Sequence, residues 1–138
     1  MNAHIVAFLF AGAGFVDGVE GMRFSHDGSQ LAVSENRKGR VSLFSADGSF
    51  LAHVCHGIGE GPKDVCYSST GDLAVADFAN HRICVFADAG TRLTKTWGDD
   101  SPAANGVSQL QRPISISAGA GGVTYVLVAA LQIVKVFK

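Results

Sequence analysis

Short apolar stretches alternate along the chain with breaks that carry glycine, aspartate or asparagine, and the stretches return in the same order. Leu31-Ala32-Val33-Ser34-Glu35, Arg40-Val41-Ser42-Leu43-Phe44 and Asp47-Gly48-Ser49-Phe50-Leu51 form one copy. They come back as Leu73-Ala74-Val75-Ala76-Asp77, Arg82-Ile83-Cys84-Val85-Phe86 and Ala89-Gly90-Thr91-Arg92-Leu93, which places Phe44 and Phe86 42 positions apart. Upstream, Met22 to Gly28 matches Val65 to Gly71 one position further apart, because the first copy has an additional residue near Gln30. A third copy runs through Ile114-Ser115-Ile116-Ser117, Val123-Thr124-Tyr125-Val126 and Ile133-Val134-Lys135-Val136-Phe137, delayed by an insertion around Asp99 to Gln111.

Runs rich in Val, Ile, Phe and Leu that alternate or are wholly apolar, bounded by Asp-Gly and Gly-Asp turns, are strand and hairpin signals; no helical period persists long enough to compete. A repeat of roughly 40–45 residues holding about four strands is the spacing of a β-propeller blade. The pattern therefore predicts an all-β chain, a partial β-propeller of about three four-stranded antiparallel blades over residues 21–59, 64–98 and 112–138 of one domain, 1–138. In the second copy the strands fall at Val65–Ser68, Leu73–Ala76, Arg82–Phe86 and Arg92–Trp97, named a to d from the axis outward. Ile5 to Gly14 lines up with Phe50 to Gly59, Gly12 and Gly14 falling on Gly57 and Gly59, so residues 4–14 read as a leading outer d strand.

Gly71 to Phe86, with an apolar strand ending in Asp77, an Asn80-containing turn and then Arg82-Ile83-Cys84-Val85-Phe86, closely resembles the NHL repeat, and Trp97-Gly98 stands where that family places an aromatic and a glycine. Asp77 and Asn80 have short polar side chains suited to bonding back to the chain within the b–c turn, Arg82 can cover strand edges with its stem, and Val85 and Phe86 are suited to the space between blades. The first copy keeps Arg40, Phe44 and Gly48 but has Glu35 for the aspartate; in the third, Ala129-Ala130-Leu131-Gln132 carries no turn chemistry. No Trp-Asp closes any copy, which sets the WD-type repeat aside. The resemblance implies a six-bladed ring, of which this is half. The missing blades are then expected from the rest of a longer chain or from a second copy; the large open edges a dimer demands, which natural sheets protect, favour the longer chain.

Composition narrows the function. A net charge of −1 supplies no general pull toward nucleic acid or anionic lipid. Cys55, Cys66 and Cys84 form no C-x-x-C pair, fit neither a disulfide framework nor a zinc site, and point to reduced thiols and the cytoplasm, with a secreted setting left open. The apolar run Ile5 to Ala11 is too short for a membrane span and lacks the cation of a signal peptide.

The chain directions put the b–c and d–a connections on one face, the top, which carries Asn36, Arg37, Lys38, His56, Glu60, Lys63, Asn80 and His81 as well as the insertion. Loops on a rigid scaffold are the usual carriers of recognition. The expected function is thus a protein-interaction scaffold with a protein or peptide partner, and the candidate binding residues are Arg37, Lys38, His56, Lys63, Asn80 and His81. One alternative is single-stranded RNA, for which Arg37, Lys38, Lys63 and His81 are few cations and Phe78 the sole aromatic. Another is a hydrolase or lyase of the kind six-bladed propellers include, with its catalytic residues mostly elsewhere. His4, His26, His53, His56 and His81 show no ligand spacing, so neither metal nor cofactor is expected, and no catalytic residue is assigned. Glu35 and Asp77 occupy equivalent strand ends, but a role in the turn already accounts for the latter. Gly57 to Lys63 lacks the G-K-[ST] of a phosphate loop and reads as a blade-to-blade crossover.

Overall fold

A computed structural model describes residues 16–59, 61–98 and 110–138. The strand expected at 4–14, Glu60 and residues 99–109 of the insertion lie outside the described residues. The strands are β1 (Val19–Phe24), β2 (Gln30–Glu35), β3 (Arg40–Ser45), β4 (Phe50–Val54), β5 (Pro62–Tyr67), β6 (Leu73–Asp77), β7 (Arg82–Ala87), β8 (Arg92–Gly98), β9 (Pro113–Ala118), β10 (Thr124–Val128) and β11 (Ile133–Phe137). They form three antiparallel sheets in sequence order, β1–β4, β5–β8 and β9–β11, which are the blades of a partial propeller. The innermost strands β1, β5 and β9 are neighbours and line the axis.

Register explains why each blade presents two apolar faces. Side chains alternate across a strand, so Leu73, Val75 and Asp77 point one way and Ala74 and Ala76 the other. Leu73, Val75 and Phe86 pack back onto Ala32, Val41 and Leu43 of the first blade. Ala74, Ala76, Ile83 and Val85 pack forward onto Ile116, Val126 and Val128 of the third. Large side chains from one blade thus enter spaces left by small ones on its neighbour. At the rim of the second interface Trp97 stacks on Phe137, centroids 5.0 Å apart and planes 12° from parallel.

The additional residue near Gln30 is absorbed in a turn. Ser25 N–H reaches Gln30 O across five positions, while Ser68 N–H reaches Asp72 O across four. The third blade has three strands among the described residues, one for each of the three apolar runs in its copy of the repeat. Its b–c hairpin forms despite the missing turn chemistry: Ala129–Leu131 makes a single 3₁₀ turn closed by Gln132 at φ 53°. The same left-handed position is Gly39 (φ 60°) in the first blade and His81 (φ 56°) in the second. Sheet register holds the turn where its own residues do not favour it.

The three cysteines are buried and form no disulfide with one another. Among the described residues no helix is long and apolar enough to cross a membrane.

Candidate functional site

The top face is assembled by two buried carboxylates. Asp77, at the end of β6, is fully enclosed; its Oδ2 accepts from Arg82 Nε at 2.8 Å, and both its oxygens accept from Asn80 Nδ2 at 2.9–3.0 Å. Asn80 Nδ2 also donates to Ile58 O at 3.1 Å, in the crossover between the first two blades. Asp77 and Asn80 thus bond across the b–c turn, as their short polar side chains suggest, and Asn80 extends the cluster to clamp the chain that enters the second blade, a contact the sequence does not indicate. Gly61 N–H to Asn36 O and Phe78 N–H to Gly61 O, both 3.1 Å, weave the same crossover between the two b–c turns. Gly39 is required beside it, since a Cβ there would stand 2.3 Å from Gly59 O.

Glu35 repeats the arrangement in the first blade. It accepts from Arg40 Nε at 2.7 Å, from Ser42 Oγ at 2.5 Å and from the Asp17 backbone N–H at 2.9 Å, which pins the chain entering β1. Burial alone raises a carboxyl's pKa, but the bonds from Arg40, Ser42 and Asp17 together hold Glu35 below the usual range. His53 Nδ1 lies 2.8 Å from Ser42 Oγ. Ser, His and Glu are thus adjacent, yet in the wrong order for nucleophilic catalysis. The serine proton points at the carboxylate, so His53 donates to the serine and cannot take a proton from it. Burial and the Arg40 charge push the His53 pKa down, with Glu35 opposing. Val128 and Ile133 stand where blades one and two have carboxylate and arginine, so the third blade has no clamp.

Nearer the axis, Asp64 Oδ2 accepts from Ser115 Oγ at 2.8 Å and Ile116 N–H at 3.0 Å, joining β5 to β9; Arg23 approaches from β1 at 3.9 Å. Gly21 faces this carboxylate, and a Cβ on it would meet Asp64 Oδ1 at 2.4 Å. Nothing in the sequence pattern marked Asp64, because a lone aspartate in a strand resembles any polar channel residue.

Of the six candidate residues, the structure gathers two. Lys63 Nζ lies 5.3 Å from the centroid of the Phe78 ring and 3.0 Å from Glu20 Oε1. His81 Nδ1 accepts the Arg112 backbone N–H at 3.2 Å, which leaves the proton of the neutral ring on Nε2. Arg112 itself places its guanidinium carbon 5.5 Å from the same Phe78 centroid. It was missed by sequence reasoning, although Arg112-Pro113 opens β9 as Gly61-Pro62 opens β5 and could have been found that way. Asn80 is spent inward on the clamp. Arg37 turns to Asp17 at 3.3 Å, Lys38 is exposed on the same turn, and His56, exposed on the crossover, donates from Nε2 to His53 O at 3.1 Å. Among the described residues no group of three His, Cys, Asp or Glu side chains is placed to hold a metal.

Residues 60–86 match the family model of the NHL repeat. The chain carries an NHL repeat. Within it lie Lys63, Asp64, Asp77, Phe78, Asn80, His81 and Arg82, so the clamp and most of the aromatic–cation cluster belong to the repeat itself. Solved structures share its architecture. Virginiamycin B lyase from Staphylococcus aureus is 17% identical, with a TM-score of 0.61 over 86% of this chain and 40% of that one. Hydrazine synthase of Kuenenia stuttgartiensis is 17% identical, with a TM-score of 0.71 over 89% and 33%. A chain of a nidogen–laminin complex is 16% identical, with a TM-score of 0.67 over 94% and 46%. At these identities the likeness is one of fold, and the NHL-repeat chain spans less than half the length of each. No curated protein sequence matches it.

Proposed function

We propose that this chain is a protein-interaction scaffold, whose blades hold a rigid top rim against a protein or peptide partner. The observation that carries the reading is the cluster at the channel mouth. Lys63 from the start of β5, Phe78 and His81 from the b–c turn and Arg112 from the crossover into β9 come together from separate stretches of chain. The clamps of Glu35 and Asp77 fix the backbone beneath them, so a partner meets groups already in position, at little ordering cost. The same clamps occupy the carboxylates that a hydrolase or lyase would need free.

The blades beyond these three come, on this reading, from the rest of a longer chain. A peptide library displayed on phage and selected on the purified chain tests the proposal. Recovered peptides should lose binding to Lys63→Glu and Arg112→Glu while keeping it to Asp72→Lys, in an a–b turn at the opposite end of the blades. Peptides indifferent to the first two variants, or lost only with the third, would place the interaction elsewhere.

A further inference from the structure

We infer that the segment held at the channel mouth is acidic, a peptide stretch whose Asp or Glu carboxylates reach Arg112, Lys63 and the Nε2–H of His81. This rests on the top-rim reading above and names the chemistry of its partner. The carboxylates described at this end of the blades are already engaged: Asp17 by Arg37, Glu20 by Lys63, Glu35 by Arg40, Asp77 by Arg82 and Asn80, and Asp64 by Ser115 and Ile116. The cations are not balanced in the same way. Arg112 and Lys38 are exposed, and among the described residues no carboxylate stands within ion-pair distance of either. The Phe78 ring positions the Arg112 guanidinium, whose N–H fork meets no carboxylate among the described residues, and such a fork matches a carboxylate in bidentate geometry. Because the Arg112 main chain is held by His81, the fork is presented from a fixed base.

The aromatic ring decides between an acidic peptide and an oligonucleotide. Single strands are held by bases stacked on exposed aromatic faces as well as by cations on phosphates. Phe78 is half-buried and already engaged by two cations, and the b–c turns of the other blades, Asn36–Lys38 and Ala129–Leu131, contain no aromatic residue. The mouth therefore offers charge without a stacking platform.

The experiment is a titration of the isotope-labelled chain, followed by its amide signals, with hexaglutamate in one arm and an oligouridylate of equal charge in the other. Arg112→Gln and Arg92→Gln are run beside the parent; Arg92 is exposed and pairs with Asp88 beyond the far end of β7, so its variant controls for loss of one charge. Hexaglutamate should shift Phe78, His81 and Arg112, bind more weakly as salt rises, and lose about fivefold in affinity in Arg112→Gln but not in Arg92→Gln. Unchanged signal dispersion in the variant shows that it is folded. Rim shifts with oligouridylate alone would overturn the acidic-peptide inference. Hexaglutamate shifts confined to the a–b turns, Ser25–Ser29 and Ser68–Asp72, would overturn the rim itself. No shift with either probe also rejects the acidic partner and leaves the rim to the phage selection.

Discussion

Blades two and three have the same register and the same b–c turn, yet they are held in different ways. In blade two, β6 is buried along its whole length, both faces of the sheet are covered, and Asp77 ties Arg82 and Asn80 to the incoming crossover. In blade three only the backward face is covered by other described residues. Val126 and Val128 are buried against blade two, while Val134 and Val136 on the forward face remain 59% and 58% exposed. The turn that closes the hairpin is nonetheless the same, with Gln132 in the conformation that His81 and Gly39 adopt. The comparison separates two roles that the repeat motif combines. Strand pairing makes the hairpin; the carboxylate, asparagine and arginine fasten the blade to the chain that enters it.

The most severe way to break this comparison is to put the carboxylate into blade three without its cation. Val128→Asp should cost about 4 kcal/mol in urea unfolding, because Ile133 gives the buried charge no partner, and adding Ile133→Arg should recover most of it. A double variant no more stable than the single one would show that the clamp does not depend on the pair. Asp77→Ala should follow at about 3 kcal/mol, since Arg82 and Asn80 lose the buried carboxylate to which both donate.

Acid acts on blade one in the same sense. The Glu35 carboxyl is depressed from 4.5, so its contribution is full above that value and disappears as pH falls through the folded-state pKa. His53 is depressed from 6.5, so the unfolded chain takes its proton first and stability also declines as pH drops below that value. Thermal midpoints should therefore fall from neutral pH toward pH 4, and Glu35→Gln should flatten the lower part of the curve. A midpoint constant across that range would contradict both assignments.

Thiol labelling sharpens the contrast between the two interfaces. Burial pushes the Cys66 thiol up to about 12 and Cys55 also upward, so neither is nucleophilic in the closed blades. Cys66 lies between blades two and three and Cys55 between one and two. In mild urea, mass-resolved alkylation should reach Cys66 first. The smallest effect is a gain: Gln132→Gly relieves a left-handed non-glycine residue and should stabilise the chain by about 1 kcal/mol in the same unfolding assay.

Much of this architecture is legible in the chain because a repeat states it more than once. The spacing from Phe44 to Phe86 fixes the equivalence of β3 and β7, and Val65 to Ser68 falls within a residue of the end of β5. The third hairpin is less legible, because its turn is imposed by the pairing of β10 with β11 and not by local residues. At the site, Lys63 and His81 were within reach of sequence reasoning because both flank turn or crossover signals. Arg112 is marked only by the parallel between Arg112-Pro113 and Gly61-Pro62, and its pairing with Phe78 is not legible at all, since the two are distant in sequence and only the path of the crossover brings them together. Asp77 is legible as a turn residue, which its bonds to Asn80 bear out, but not as part of a link between blades. Its bridge to Ile58, through Asn80, joins one blade to the strand leaving another, and no pattern within one repeat encodes that contact.

The most direct measurement of the central claim, an arc in which, among the described residues, blade two is covered on both sides and blade three on one, is native-state hydrogen exchange resolved to single amides. The β6 and β7 amides should exchange only through global unfolding, with opening free energies equal to that from urea. Those of β11, Ile133–Phe137, should exchange through a cheaper local opening that leaves β5–β8 closed. Equal protection of β7 and β11 would contradict the account, because it would mean that blade three is held as firmly as blade two without a clamp and with only one side covered by described residues.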